Sequence, residues 1–140
     1  MREGKLQVIP LGGLGEIGKN SLAVRYKDDI VVIDCGLMFP EDEMLGIDVV
    51  IPDLSYLIEN KHLVRAIVLT HGHEDHIGAI PYVIPQLNVP LYGTKLTLGL
   101  LEGKLEEHLP GFKADLRVVR PREIVETGSF AVEFIRVSHS

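Results

Sequence analysis

The sequence predicts a mixed α/β fold in which a β-sheet forms the core and helices pack against it. Short apolar and β-branched runs occupy both ends of the 140-residue chain, and segments with helical spacing of apolar residues lie between them. The length and a hydrophobic share of 46% suit one compact domain. We therefore expect a single domain of layered strands and helices.

The first third of the chain is typical of strands. Residues 6–11 form an apolar run, residues 21–26 alternate, and residues 30–33 are β-branched behind a turn at 27–29. We expect three strands here, the last two joined as a hairpin. The acidic and proline-containing residues 35–52 that follow predict a loop.

Helices are predicted mainly in the middle of the chain. We expect a short helix at 53–60 capped by Asp53, and a helix at 77–86 with Pro81 in its first turn or at a kink. A longer helix is expected at 94–108, with Thr94 as its cap. Strands are predicted at four further places, with a turn at 127–128 before the last of them: 66–70, 91–92, 116–119 and 129–137.

A glycine-rich segment, GLGEIG at 13–18, matches the spacing of dinucleotide-binding loops. That interpretation needs a helix after the glycines, but residues 20–26 alternate like a strand. A tight turn between strands is the better account. Whether the turn serves geometry alone or passes close to a functional site stays open.

The densest chemical motif is HGHEDH at 71–76, directly after a predicted strand. His71 and His73 lie two residues apart, so they can face one ion, whereas the adjacent Asp75 and His76 diverge and suit a second ion. Imidazole nitrogens with a carboxylate are the ligands expected for zinc, and they also accept manganese or iron. The motif therefore predicts a metal site.

The other histidines and the one cysteine carry weaker signals. His62 and His108 each stand alone in a polar segment and are interpreted as surface residues. Cys35 follows a strand and is interpreted as a small buried hydrophobe rather than a nucleophile. His139 is a candidate third ligand, because His71 and His73 need another protein ligand to complete a site.

Charge and hydropathy restrict the partners. Fourteen basic against twenty acidic residues give a net charge of −6, which argues against a nucleic-acid surface unless bound metals or chain outside these residues supply the positive field. No apolar run could cross a bilayer, and the N-terminus does not resemble a signal peptide. We expect a cytoplasmic protein with no membrane partner.

Segment HGHEDHIGA at 71–79 resembles the H-x-H-x-D-H signature of the metallo-β-lactamase superfamily, and AIPY at 79–82 resembles its nucleic-acid-processing β-CASP branch. Within that branch the chain is similar to the N-terminal part of the ribonuclease J family. Four further segments carry this likeness: 11–20, 34–40, 46–53 and 138–140.

The resemblance implies a metallo-β-lactamase αββα sandwich, of which residues 1–140 would be roughly the N-terminal half. The β-CASP and C-terminal domains would lie beyond Ser140, together with a bridging aspartate and a last histidine ligand. We therefore expect the piece alone to be inactive.

The resemblance also implies two divalent metal ions. We expect both to be zinc, with manganese as the alternative. His71, His73 and His139 would hold one ion, and Asp75 with His76 the other. Asp34 would orient the metal loop, which we define as residues 71–76, without being a ligand. Asp75 and His76 would be catalytic, and Asp75 could accept a proton from the attacking water.

The implied function is a metal-dependent ribonuclease that cleaves RNA by 5′-to-3′ exonuclease and endonuclease action in RNA processing and decay, through a water activated by two metals. RNA would be the partner, with a homo-oligomer in the complete protein and contacts to other RNA-decay proteins. Two alternatives remain: another hydrolase on the same fold, and a non-catalytic partner subunit.

Overall fold

The computed structural model describes residues 5–12, 20–36 and 54–135, with the side chains of Glu74 and Asp75 left out. Its main feature is a six-stranded sheet in which the strands follow one another in chain order. The first three strands are antiparallel, and the third to sixth are parallel. The strands are β1 (Leu6–Gly12), β2 (Ser21–Tyr26), β3 (Asp29–Ile33), β4 (Val64–Val68), β5 (Leu91–Gly93) and β6 (Leu116–Val118).

Within the described residues, four helices cover one face of this sheet, because the buried apolar side chains of β3, β4 and β5 need a hydrophobic layer against them. The core on this face includes Ile30, Ile67 and Leu91 from the strands, with Leu57 and Leu101 from the helices. The helices are α1 (Ser55–Glu59), α2 (Glu74–Ile77), α3 (Ile80–Val83) and α4 (Lys95–His108), with a 3₁₀ turn at Lys61–Leu63.

A separate two-stranded hairpin covers part of the opposite face. It consists of β7 (Ile124–Thr127) and β8 (Phe130–Glu133), which pair antiparallel. Val125 and Phe134 pack on a small cluster of Ala66, Tyr92 and Val119. The order of layers is helix, sheet and hairpin, which confirms the predicted mixed α/β fold.

Several element predictions are confirmed. The first three strands, the strand at 91–92 and the long helix lie where expected, and the Thr94 hydroxyl caps α4 by accepting from the Thr97 N–H at 3.4 Å. Pro81 lies in the first turn of α3. Because residues 20–26 contain β2 and no helix, the dinucleotide interpretation is excluded as expected.

Other element predictions are wrong. The helix at 77–86 is two one-turn helices separated at 78–79, and Pro85, which lacks an N–H, follows the second one. Helix α1 begins at Ser55 with Leu54 at the N-cap position, and the predicted cap Asp53 lies outside the described residues. Strand β4 begins and ends two residues earlier than predicted.

The hairpin also differs from expectation. Strand β7 was not predicted, and Thr127 belongs to it, so the turn lies at 128–129. Strand β8 covers only four residues of the predicted 129–137, of which 136–137 lie outside the described part. The predicted loop at 35–52 is also mostly outside it, from residue 37 onward.

The parallel strands place the candidate residues. Because β3, β4, β5 and β6 run in the same direction, their carboxyl ends meet at one edge of the sheet. Asp34 follows β3, the segment from Thr70 follows β4, Thr94 follows β5 and Arg120 follows β6. We call this the carboxyl edge. In the part of the chain that the structure describes, no helix is long and apolar enough to cross a membrane.

Candidate metal centre

Asp34 is the central polar residue of the carboxyl edge. Its side chain is buried, and its backbone has a φ of +63°, a left-handed conformation that aspartate adopts more readily than most residues. Its N–H donates to the Val68 carbonyl at 2.8 Å, and its own carbonyl accepts from the Ser21 hydroxyl at 2.9 Å. The backbone is therefore held from both neighbouring strands, and the carboxylate points towards the metal loop.

The carboxylate of Asp34 accepts three hydrogen bonds. Oδ1 accepts from the Thr70 N–H at 2.7 Å, and Oδ2 accepts from the Thr70 hydroxyl at 2.6 Å. His76 Nδ1 lies 2.7 Å from the same Oδ2. A carboxylate that contacts the Nδ1 of a histidine directs its Nε2 outward, which is the usual arrangement behind a metal-bound imidazole. The orienting role of Asp34 stays a prediction, and this contact has the geometry that the role requires.

Backbone hydrogen bonds hold His76 from a second direction. The Cys35 N–H donates to the His76 carbonyl at 2.7 Å, and the Cys35 carbonyl accepts from the Ala79 N–H at 2.9 Å. Within the loop, the N–H of His76 donates to the His73 carbonyl at 2.9 Å. The buried Ile77 then fixes α2 to the core. Helix α2 is thus held through both the side chain and the backbone of His76.

Three predicted ligands have their imidazole rings close together. The ring centroids of His71 and His76 are 3.8 Å apart, and those of His71 and His73 are 4.7 Å apart with the rings nearly perpendicular. His71 follows β4 and His76 lies in α2. The sequence placed these histidines in one segment, and the fold brings their imidazole rings into contact. Three imidazoles beside an orienting carboxylate are chemically suited to a transition metal.

Two of the five predicted ligands cannot be placed. The Asp75 side chain and His139 lie outside the described part of the chain, although the backbone of Asp75 belongs to α2. Among the side chains that the structure describes, no group of three or more His, Cys, Asp or Glu residues is arranged to hold an ion. The described donor set fits the chemistry of a metal site, and its completion by Asp75 and His139 stays a prediction.

The metal loop opens on an apolar cleft of about 1000 Å³ between the sheet and the β7–β8 hairpin. His71 and His73 line it together with Leu96, Leu100 and Phe134. Gly72 lies against Leu100, whose Cδ1 would be 2.5 Å from a Cβ at that position. A side chain at position 72 would therefore force Leu100 to move.

A second, more open recess of about 300 Å³ lies beside His76. Gly12 and Asn20 line it with Asp34 and His76, and they are the described residues that flank the glycine-rich segment. The segment at 13–18 itself lies outside the described residues. Its two flanks lie beside the candidate site, which favours the second of the two interpretations left open by the sequence.

The remaining histidine and cysteine predictions are confirmed. His62 and His108 are exposed. Cys35 is buried, and burial raises the pKa of its thiol to about 12, with a smaller contribution from the neighbouring Asp34 carboxylate. Such a thiol stays protonated at neutral pH and is not a nucleophile.

Sequence comparison identifies the class of protein. Residues 14–139 match the family described as the metallo-beta-lactamase superfamily. The chain belongs to this superfamily. The fold agrees with that of YhfI from Bacillus subtilis, a metallo-beta-lactamase fold protein, at a TM-score of 0.63 and 19% identity over 96% of this chain and 54% of that one.

The more particular resemblance is to ribonuclease J, and it is confirmed over almost the whole chain. Ribonuclease J2 of Bacillus subtilis is 52% identical over 96% of this chain and 24% of its own length. Ribonuclease J 1 of Streptococcus pyogenes is 44% identical over 100% of this chain and 25% of its own length. The chain thus spans about a quarter of the curated relatives that it matches.

Sequence reasoning missed three contributors to the site. Ser21, Thr70 and the backbone of Cys35 all hold Asp34 or His76, yet none of them belongs to a ligand motif. The position of Thr70 directly before His71 was a signal that could have been used. Ser21 and Cys35 become relevant only when β2 and β3 are paired.

Proposed function

We propose that the complete protein is a metal-dependent ribonuclease that hydrolyses RNA phosphodiester bonds by 5′-to-3′ exonuclease and endonuclease action. The observation that carries this proposal is the contact between Asp34 and His76 at 2.7 Å within a cluster of three histidines. The similarity to ribonuclease J supports RNA as the substrate.

The predicted ligands divide between two divalent metal ions. Zinc is the expected metal, and manganese is the alternative. One ion would be held by His71, His73 and His139, and the other by Asp75 and His76. When bound, the ions supply an acidified water and positive charge for the phosphoryl oxygens. Asp34 keeps the ring of His76 oriented, and the clamp by the Cys35 backbone keeps α2 in place. Asp75 would accept a proton from the attacking water.

RNA contact is proposed at the carboxyl edge, where the acidic chain has exposed arginines. Arg120 follows β6, which lies two strands from β4, so the carboxyl ends of these two strands are about 10 Å apart at the usual strand spacing. Arg120 and Arg122 are both exposed. Guanidinium groups at this distance from the metal loop can bind the backbone phosphates next to the scissile bond.

Both alternatives are less well supported. A hydrolase for another substrate on this fold would share the metal loop, but the similarity to ribonuclease J extends over the rest of the chain. A non-catalytic subunit would have no physical need for Asp34 to orient His76. We therefore favour the ribonuclease, acting in the cytoplasm as a homo-oligomer with other RNA-decay proteins.

The test compares the complete wild-type protein with its His76→Ala variant on a 5′-monophosphorylated single-stranded RNA, with metal content measured in parallel. His76→Ala should nearly abolish cleavage and lower the bound metal while the circular dichroism spectrum is unchanged. The matched control is His108→Ala, an exposed histidine on α4 outside the site. Cleavage by a folded His76→Ala protein at the wild-type rate would contradict the proposal.

A further inference from the structure

The Thr70 hydroxyl lies between the carboxylate of Asp34 and two histidines of the metal loop. Thr70 Oγ1 is 2.6 Å from Asp34 Oδ2, 3.1 Å from His71 Nδ1 and 3.4 Å from His76 Nδ1. His76 Nδ1 has a closer partner, Asp34 Oδ2 at 2.7 Å. The hydroxyl is therefore the link between the carboxylate and His71.

The number of protons that these groups carry determines which atom donates each hydrogen bond. An ionised carboxylate only accepts, so the single proton of the Thr70 hydroxyl goes to Asp34 Oδ2. The oxygen of Thr70 can then act only as an acceptor towards His71, whose Nδ1 must carry the proton. By the same reasoning His76 Nδ1 donates to Asp34 directly. In the neutral form of each ring, a proton on Nδ1 leaves Nε2 unprotonated and available to a metal ion.

We propose that Thr70 is a positioning residue that selects the tautomer of His71, so that one carboxylate sets the metal-facing nitrogen of two histidines. It acts directly on His76 and through the Thr70 hydroxyl on His71. This inference rests on the proposed metal-binding role of His71, which it deepens. A histidine held with its Nδ1–H on an oxygen acceptor binds metal more tightly than one free to change tautomer and rotate.

The geometry separates the hydroxyl from the rest of the network. Asp34 is also held by the Thr70 N–H at 2.7 Å and by its own backbone hydrogen bonds. Replacement of the Thr70 side chain therefore leaves the carboxylate and His76 in place. Removal of the hydroxyl takes one hydrogen bond from a buried carboxylate that keeps the bond from the Thr70 N–H, so we expect the variant to fold and to differ in the tautomer of His71.

The experiment uses the complete protein, labelled with [¹⁵N]histidine, stripped of metal and held at about pH 8, above the ordinary pKa of imidazole. Long-range ¹H–¹⁵N spectra identify which ring nitrogen carries the proton. In the wild type, His71 and His76 should both be protonated at Nδ1. In Thr70→Val, which has the same shape without the hydroxyl, a form of His71 protonated at Nε2 should appear while His76 is unchanged.

Zinc affinity gives a second readout, measured by competition with a chromophoric chelator. Thr70→Val should lower the affinity about tenfold, within the range for residues behind a ligand. Thr70→Ser restores the hydroxyl and should restore both the His71 tautomer and the affinity.

Two results would overturn the inference: a wild-type His71 protonated at Nε2, which needs no variant to observe, or a Thr70→Ser protein that behaves like Thr70→Val. RNA cleavage is a separate test. A wild-type protein with the expected tautomers but no cleavage would defeat the proposed function and support this inference.

Discussion

Ser129 donates two hydrogen bonds to Asp29 across 100 residues of chain, one from its N–H at 2.8 Å and one from its hydroxyl at 2.5 Å. The other carboxylate oxygen of Asp29 forms an ion pair with Arg65 of the adjacent strand. Because Ser129 lies in the turn of the β7–β8 hairpin, Asp29 ties the hairpin to the main sheet. The hairpin in turn forms one wall of the cleft beside the metal loop.

The first prediction concerns the acid sensitivity of this connection. Hydrogen bonds from Ser129, followed by Arg65, hold the pKa of Asp29 below its ordinary value. The stabilisation is therefore present above the ordinary pKa of about 3.9 and is lost as the pH falls through the lower folded value. Asp29→Asn should lower the free energy of unfolding by about 1–2 kcal/mol at pH 7, and by less at pH 3.

Urea unfolding of both proteins at the two pH values measures this. Asp28→Asn is the matched control, because Asp28 is exposed and interacts with Arg65 only through its carbonyl oxygen. An equal loss of stability for Asp29→Asn at pH 3 and pH 7 would show that the charge of Asp29 is not responsible.

The second prediction tests the close approach of the hairpin turn. Gly128 has a φ of +59°, and a Cβ there would lie 2.7 Å from Asp29 Cγ. Gly128→Ala should therefore cost more than the strain of a left-handed residue alone, in total about 2–4 kcal/mol. Gly111→Ala provides the comparison, since Gly111 has a φ of +82° with no atom within 4 Å of the added Cβ. Thermal unfolding should show the larger loss for Gly128→Ala, and equal losses would contradict the predicted clash.

The third prediction concerns Asp34. Asp34→Asn should fold, because asparagine tolerates the left-handed φ of +63°. It lacks the charge that binds His76 Nδ1 and the Thr70 hydroxyl, so zinc affinity should fall by about 10–100-fold. Asp115→Asn, an exposed carboxylate paired with Arg117, is the control. Zinc affinity is measured by competition with a chelator. A folded Asp34→Asn protein with wild-type zinc affinity would show that Asp34 does not contribute to the metal site.

The fourth prediction concerns RNA affinity. Arg120→Ala in the complete protein should raise KM for RNA, leave kcat nearly unchanged and reduce the slope of log affinity against log salt by about 1. Lys113→Ala is matched in charge and exposure, but Lys113 precedes β6 and lies at the opposite edge of the sheet. Equal effects of the two variants would mean that the carboxyl edge is not the RNA surface.

Local patterns were sufficient for a large part of the fold. Strands β1, β2 and β3 and helix α4 follow from alternation, β-branched runs and the Thr94 cap, which act over a few residues. The break at 78–79 and the strand β7 were missed because short elements have weak periodicity, so packing against the core decides them. The site also has a local part and a long-range part. The motif HGHEDH lies in one segment and is visible in the sequence, whereas Asp34 lies 42 residues from His76 and meets it only in the fold.

The sequence by itself predicted a metal site in this protein, because imidazoles and a carboxylate at 71–76 suit few other uses. It also determined the superfamily, through the same segment. Only the tertiary structure decided which groups orient those ligands. Ser21, Asp34 and Thr70 come from three different strand ends, and they meet because β2, β3 and β4 are adjacent in the sheet. Strand pairing is a long-range event, and no pattern within one segment specifies it.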